Sequence, residues 1–120
     1  MRAHYRLHVW QEAMALVKLV YEYTRSFPEE EKYGLTSQMR RAAVSVPSNI
    51  SEGAARGSDP DFVRFLNMAR GSLAELETQV IIANELSYAQ PCKALSSQIE
   101  LVFSLLAGLI RNKKSAPTRA

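Results

Sequence analysis

Residues 60–86 read PDFVRFLNMARGSLAELETQVIIANEL, and within them Phe62, Leu66, Ala69, Leu73, Leu76, Val80 and Ala83 recur at an unbroken 4-3-4-3-4-3 spacing. That is the apolar seam of a long helix packed at a shallow angle against its neighbours. Its start is marked three ways: Ser58 or Asp59 can cap it, Pro60 suits the first turn, and Asp61 complements the positive end of the helix dipole. Carried to residue 86, the helix is roughly 40 Å long at about 1.5 Å per residue.

Working outward, the strong breakers fall between periodic segments: Pro28 and Gly34, then Gly57 and Pro60, then Pro91. They predict four helices, at about 8–26, 35–56, 60–86 and 92–112, followed by a basic flexible tail at 113–120. In the first, Trp10, Ala13, Val17, Val20 and Thr24 share one side. In the second, Leu35, Met39, Ala42, Val46, Ile50 and Ala54 point inward. The fourth repeats the seam with Leu95, Ile99, Val102, Leu106 and Leu109. Short loops between long helices predict an all-α, antiparallel up-down-up-down four-helix bundle in one domain of 120 residues. Pro47 lies in the middle of the second helix, where it removes a backbone hydrogen bond and crowds the preceding turn. A kink is expected there, with Ser45, Ser48 or water taking up the freed carbonyl; the rival is a split into two short helices at Val46.

Apolar residues exceed these stripes. Val9, Leu16 and Leu19 lie beside the seam assigned to the first helix, and Leu101, Phe103, Leu105 and Ile110 beside that of the fourth. A helix apolar over most of its circumference must be covered on more than one side, so these seven positions are expected at a subunit interface.

The residues offer little to chemistry. His4, His8 and Glu12 stand four apart, but no fourth ligand is near in sequence. Glu75, Glu77 and Glu85 lack the Glu-x-x-His pairs of a di-metal bundle, since no histidine follows His8. Cys92 has no histidine in the later helices to serve as its base, and Gly53 and Gly57 form no phosphate loop. No catalytic residue, metal or cofactor is expected. One cysteine, no apolar leader and an apolar run at 101–110 broken by Ser104 and Gly108 predict a cytoplasmic protein without a membrane span.

Binding is the remaining class. Of 15 Lys and Arg, six sit at the ends: Arg2, Arg6, Arg111, Lys113, Lys114 and Arg119. Residues 7–110 carry nine basic and 12 acidic side chains, so the body is slightly acidic although the chain is +3. Arg40 and Arg41, Arg56, Arg64 and Arg70 join the terminal groups as candidate phosphate contacts, multiplied by any self-association. The partner is then RNA or DNA; the alternative is a protein docked on an oligomeric scaffold. The segment 48–57, SNISEGAARG, is small and polar, and reads as structural: its small residues let helices approach closely, Asn49 and Glu52 can bond across an interface or to the turn at Pro47, and Gly53 belongs to the same motif.

Val9-Trp10-Gln11, Phe27-Pro28, Tyr33-Gly34-Leu35, the run QMRRAAVSVPSNISEG at 38–53, and Ala69-Arg70-Gly71-Ser72 with Glu75-Leu76 and Gln79 together resemble a known family. It is that of the small four-helix-bundle proteins encoded within intervening sequences of bacterial large-subunit ribosomal RNA genes. More distantly the chain is similar to the accessory variability determinant of diversity-generating retroelements. The resemblance implies a homopentamer and a nucleic-acid partner, and points to Arg40, Arg41, Asn49, Glu52, Arg56 and Arg70. The acidic body departs from the strongly basic retroelement relative.

Overall fold

In the computed structural model, which describes residues 2–115, all seven seam positions of the third helix are interior, from Phe62 to Ala83. Four helices form: α1 His8–Thr24, α2 Leu35–Ala54, α3 Asp59–Glu85 and α4 Lys93–Lys114. Two short 3-10 turns, Ala3–Arg6 and Glu29–Glu31, precede α1 and α2. Ser58 is the residue that caps α3, its Oγ accepting the Asp61 N–H at 3.3 Å. At the other end Ser87 turns with φ 59°, and the Tyr88 N–H closes back onto the Ala83 carbonyl at 3.0 Å, which satisfies an orphan carbonyl of the last turn.

Each helix packs on its neighbours in chain order, α2 on α3 most extensively, and α4 closes the ring against α1. The body measures 56 × 21 × 21 Å. The short dimensions are about two helix diameters of 10–12 Å, as two-by-two packing requires.

The phase of α1 differs from the one expected. Ala13, Val20 and Thr24 are interior as expected, but Val9, Leu16 and Tyr23 complete the buried stripe, while Trp10 and Val17 are half-buried on the flank. Trp10 is partly covered by the N-terminal turn, where the His4 and Tyr5 rings stand 5.1 and 5.2 Å from it. On α4 the stripe ends at Ile110 in place of Leu109, an advance of four residues where three were expected. An α-helix repeats every 3.6 residues, so a 3-4 seam drifts off-centre by its last turn. Val9, Leu16 and Ile110 are therefore core and not a subunit interface: Leu16 is wholly enclosed and Ile110 is 5% exposed. Leu19, Phe103 and Leu105 are half-buried against the same core, which leaves Leu101 as the one expected interface position that is open, at 38%.

α2 runs through Pro47 as a single helix, so the split at Val46 does not occur. The carbonyl that proline frees is that of Ala43, and neither neighbouring serine takes it up. Ser48 donates to the Val44 carbonyl at 2.8 Å, and Ser45 pairs with the Ser72 hydroxyl of α3 at 2.8 Å. Asn49 Nδ2 donates to both the Ser45 carbonyl and Oγ at 2.9 Å, tying the turn around Pro47 to that cross-helix contact. One turn on, Gly53 lies so close to α3 that a Cβ there would stand 2.7 Å from Phe65 Cβ and 3.0 Å from Phe62 Cδ1. The 48–53 stretch thus holds α2 against α3.

α4 has the length and composition of a membrane span, with a mean hydropathy of 1.4. In the bundle its Leu95, Ile99, Val102, Leu106 and Ile110 stripe is packed into the core. The basic tail begins later than expected: Lys113 and Lys114 form the last turn of α4. Residues 116–120, with Arg119, lie outside the described residues.

Candidate functional site

Arg40, one turn into α2, is held against the end of α1. Thr24 folds its hydroxyl back onto the Val20 carbonyl at 2.8 Å, and the oxygen so oriented accepts from Arg40 Nε at 2.9 Å. Arg40 Nη2 reaches the Tyr21 carbonyl at 3.4 Å, and its guanidinium carbon lies 4.5 Å from the Tyr21 ring centroid. Two donors are satisfied, and among the described residues no further partner meets the rest of the fork. A cation–π contact at such a surface is worth about 0.5–1 kcal/mol, enough to fix the side chain without neutralising it.

Arg40 forms one wall of a surface groove of about 680 Å³, lined by Tyr21 of α1, Lys32 and Tyr33 of the α1–α2 loop, and Thr36, Ser37, Arg41, Val44 and Ser45 of α2. Beyond Val44 it continues into an apolar depression of about 340 Å³ floored by Met14, Val17 and Pro47 and bounded by Tyr5 and Trp10.

The loop that carries Lys32 and Tyr33 is pinned. Glu31 Oε1 accepts the Leu35 N–H at 3.0 Å, capping α2 from outside, and Oε2 accepts from the Tyr88 hydroxyl at 2.8 Å. A Cβ on Gly34 would stand 2.6 Å from that capping oxygen, so glycine leaves room for the bond. The Leu35 N–H and then the Tyr88 hydroxyl hold the Glu31 carboxyl below its ordinary range, and the Glu31 bond raises the Tyr88 phenol. Tyr23 donates to Asn84 and meets the Phe27 ring edge-on; burial raises its phenol, with the nearby Cys92 adding to the shift.

The ten cations expected to meet phosphate that lie among the described residues fall into separate places. Arg40 and Arg41 share the groove. Arg56, Arg64 and Lys113 gather at the opposite end of α2, around Phe62 and Phe65, with their charged groups 4.6 to 5.6 Å from a ring. Each also meets a carboxylate: Arg56 with Glu52 at 3.4 Å, Arg64 with Asp61 at 3.6 Å, Lys113 with Asp59 at 3.7 Å. Arg70 lies apart on α3 and donates to Asn67 Oδ1 at 2.6 Å. Arg2 borders a small cleft beside Ser51 and Glu52, while Arg6, Arg111 and Lys114 are exposed. Among the described residues, no carboxylate lies within ion-pair distance of Lys32, Arg40 or Arg41.

Sequence reasoning missed Tyr21, Lys32 and Tyr33 as site residues. A lysine and tyrosine just before Gly34 is a local signal for a cation and ring on a turn; the Tyr21–Arg40 contact spans 19 positions and has no local signal. Among the described residues no group of three or more His, Cys, Asp or Glu is arranged to hold a metal.

The sequence profile of the 23S rRNA-intervening sequence proteins matches residues 5–108. The structure is similar to a solved one from Bacteroides thetaiotaomicron VPI-5482, described as a protein with unknown function from the S23 ribosomal protein family. The TM-score is 0.73 at 19% identity, with 86% of this chain and 95% of that chain covered. At that identity the likeness carries the fold alone. No curated protein matches the sequence.

Proposed function

The chain belongs to the 23S rRNA-intervening sequence protein family, and from that premise we propose that it acts by binding, not catalysis, and that it grips the phosphate backbone of RNA or DNA in the α1–α2 groove. The observation that carries this reading is the contrast between the two cation clusters. Arg56, Arg64 and Lys113 have carboxylate partners, whereas Lys32, Arg40 and Arg41 line one groove with no carboxylate in reach among the described residues. Like charges gathered without partners repel one another and are relieved by an anionic ligand.

Three such cations imply a modest salt dependence: log K falls with a slope of about −2 on a single strand, or about 20-fold between 0.05 and 0.2 M salt. Fluorescence anisotropy titrations of labelled RNA and DNA at those two salt concentrations test it, with Arg41→Ala and Lys32→Ala each expected to shallow the slope by about 0.7. No binding near 0.1 M salt, or binding indifferent to salt and to both substitutions, refutes it.

The apolar depression at Tyr5, Met14 and Val44 favours a second reading, a scaffold that docks a protein partner. Affinity purification after nuclease treatment that still recovers one protein supports it. Self-association, up to the homopentamer that the family resemblance implies, belongs to both readings. It now rests on Leu101 and the open Met68, Ile81 and Ile82 of α3. Light scattering that gives 13.4 kDa at micromolar concentration removes it.

A further inference from the structure

Tyr33 is 88% exposed at the lip of the groove, on a turn whose backbone is fixed by the Glu31 cap. The other four tyrosines are engaged. Tyr5, Tyr23 and Tyr88 pair with neighbouring rings, and Tyr21 lies under Arg40. Tyr33 pairs with no ring among the described residues, and only Lys32 Nζ approaches it, 5.6 Å from the centroid. A wide apolar ring held out in water next to three cations without carboxylate partners combines the two parts a single strand needs: a face for a base and charges for its phosphates.

We infer that the groove takes a single-stranded segment, with one unpaired base stacked on Tyr33 and the adjoining phosphates on Lys32, Arg40 and Arg41. This rests on the phosphate-binding reading above and narrows it. Away from its two ends a duplex keeps its bases stacked inside and offers no face to Tyr33, so it can use the cations and not the ring. Stacking is tolerant of sequence because every base has a π-face. Thr36 and Ser37 add hydroxyl groups to the groove wall next to the cations.

The test compares a 12-nucleotide oligouridine, its deoxythymidine counterpart, an abasic oligomer of equal phosphate number and a 12-base-pair duplex capped at both ends by non-nucleotide linkers, by anisotropy at 0.1 M salt. The proteins are the unaltered full chain, Tyr33→Ala and Tyr33→Phe, each checked by circular dichroism; the exposure of Tyr33 leaves the fold little to lose. Tyr33→Ala is expected to weaken both single strands at least about fivefold and to leave the abasic oligomer and the duplex unchanged, and Tyr33→Phe to retain affinity for every probe. Equal weakening on duplex and single strand, or unaltered protein binding the abasic oligomer as tightly as oligouridine, overturns the inference while leaving the phosphate reading in place. Failure of the unaltered chain to bind any of the four probes overturns both.

Discussion

Gly53→Ala, in the last turn of α2, and Gly71→Ala, in the middle of α3, are the same chemical change, and the structure assigns them opposite signs. At Gly71 an added Cβ meets nothing within 4 Å, so the helix gains alanine's better propensity and the unfolded chain loses freedom. The expected effect is stabilisation by about 0.5–1 kcal/mol. At Gly53 the same gain is opposed by a clash of 2.7 Å with Phe65 Cβ and 3.0 Å with Phe62 Cδ1. Phe65 Cβ is fixed to the α3 backbone and cannot swing aside, so relief requires parting α2 from α3 by about 1 Å along their most extensive contact. Overpacking of that kind costs about 1–3 kcal/mol, occasionally more, which exceeds the propensity gain. A net loss of about 1–2 kcal/mol is expected, lowering the melting temperature by about 4–8 °C, while Gly71→Ala raises it by a few degrees. Urea titrations followed by circular dichroism, at two protein concentrations so that any self-association is separated from folding, measure both. Gly53→Ala at least as stable as the unaltered protein would refute the claim that this glycine sets the α2–α3 approach.

Ser87→Gly is expected to stabilise the chain by about 0.5–1 kcal/mol in the same titration, because the residue sits in the left-handed region where a Cβ is strained. Arg40→Lys keeps the charge but loses the Nε donation to Thr24 and the flat stack on Tyr21; nucleic-acid affinity in 0.1 M salt should fall severalfold, and an unchanged titration would show that the fixed fork is not used. Glu31→Gln bears on pH. Its carboxyl is held below the ordinary 4.5, so the stabilisation it gives is present above that value and is lost as pH falls through the lower folded one. The stability difference between parent and Glu31→Gln, measured by urea titration from pH 7 to pH 3, should therefore narrow toward acid; a constant gap would contradict the cap. Lys113→Ala removes a half-exposed ion pair and is expected to change stability by less than about 1 kcal/mol.

α3 was legible because one stripe of seven residues keeps an unbroken 4-3 spacing, although Val63, Phe65, Met68, Ile81 and Ile82 off it are apolar too, and because a cap, a proline and an acidic first turn agree on where it starts. α1 was not, since residues 9, 10, 13, 16, 17, 19 and 20 are all apolar and two phases fit equally. The choice was made by tertiary cover: the N-terminal turn shields Trp10, which moves the core stripe to Val9 and Leu16. The surplus apolar surface inferred for α1 followed from that phase and largely disappears with it. Asn49 and Gly53 were legible as structural residues because small and polar side chains beside a mid-helix proline have few other uses. The groove was half legible. Arg40 and Arg41 stand out in the run 38–53, but the contact of Arg40 with Tyr21, and the place of Tyr33 in the same groove, depend on which faces of α1 and α2 meet, which spacing alone does not reveal.

The two cation clusters lie at different heights on the rod. Residues 40 and 56 are 16 positions apart on and just beyond α2, or about 24 Å at 1.5 Å per residue. At 0.1 M salt the field of an exposed charge decays over about 10 Å, so neither cluster senses the other's occupancy through space. On the proposed reading a short oligomer needs only the groove, and a polymer long enough to span that distance would meet the carboxylate-paired cluster as a tethered second event.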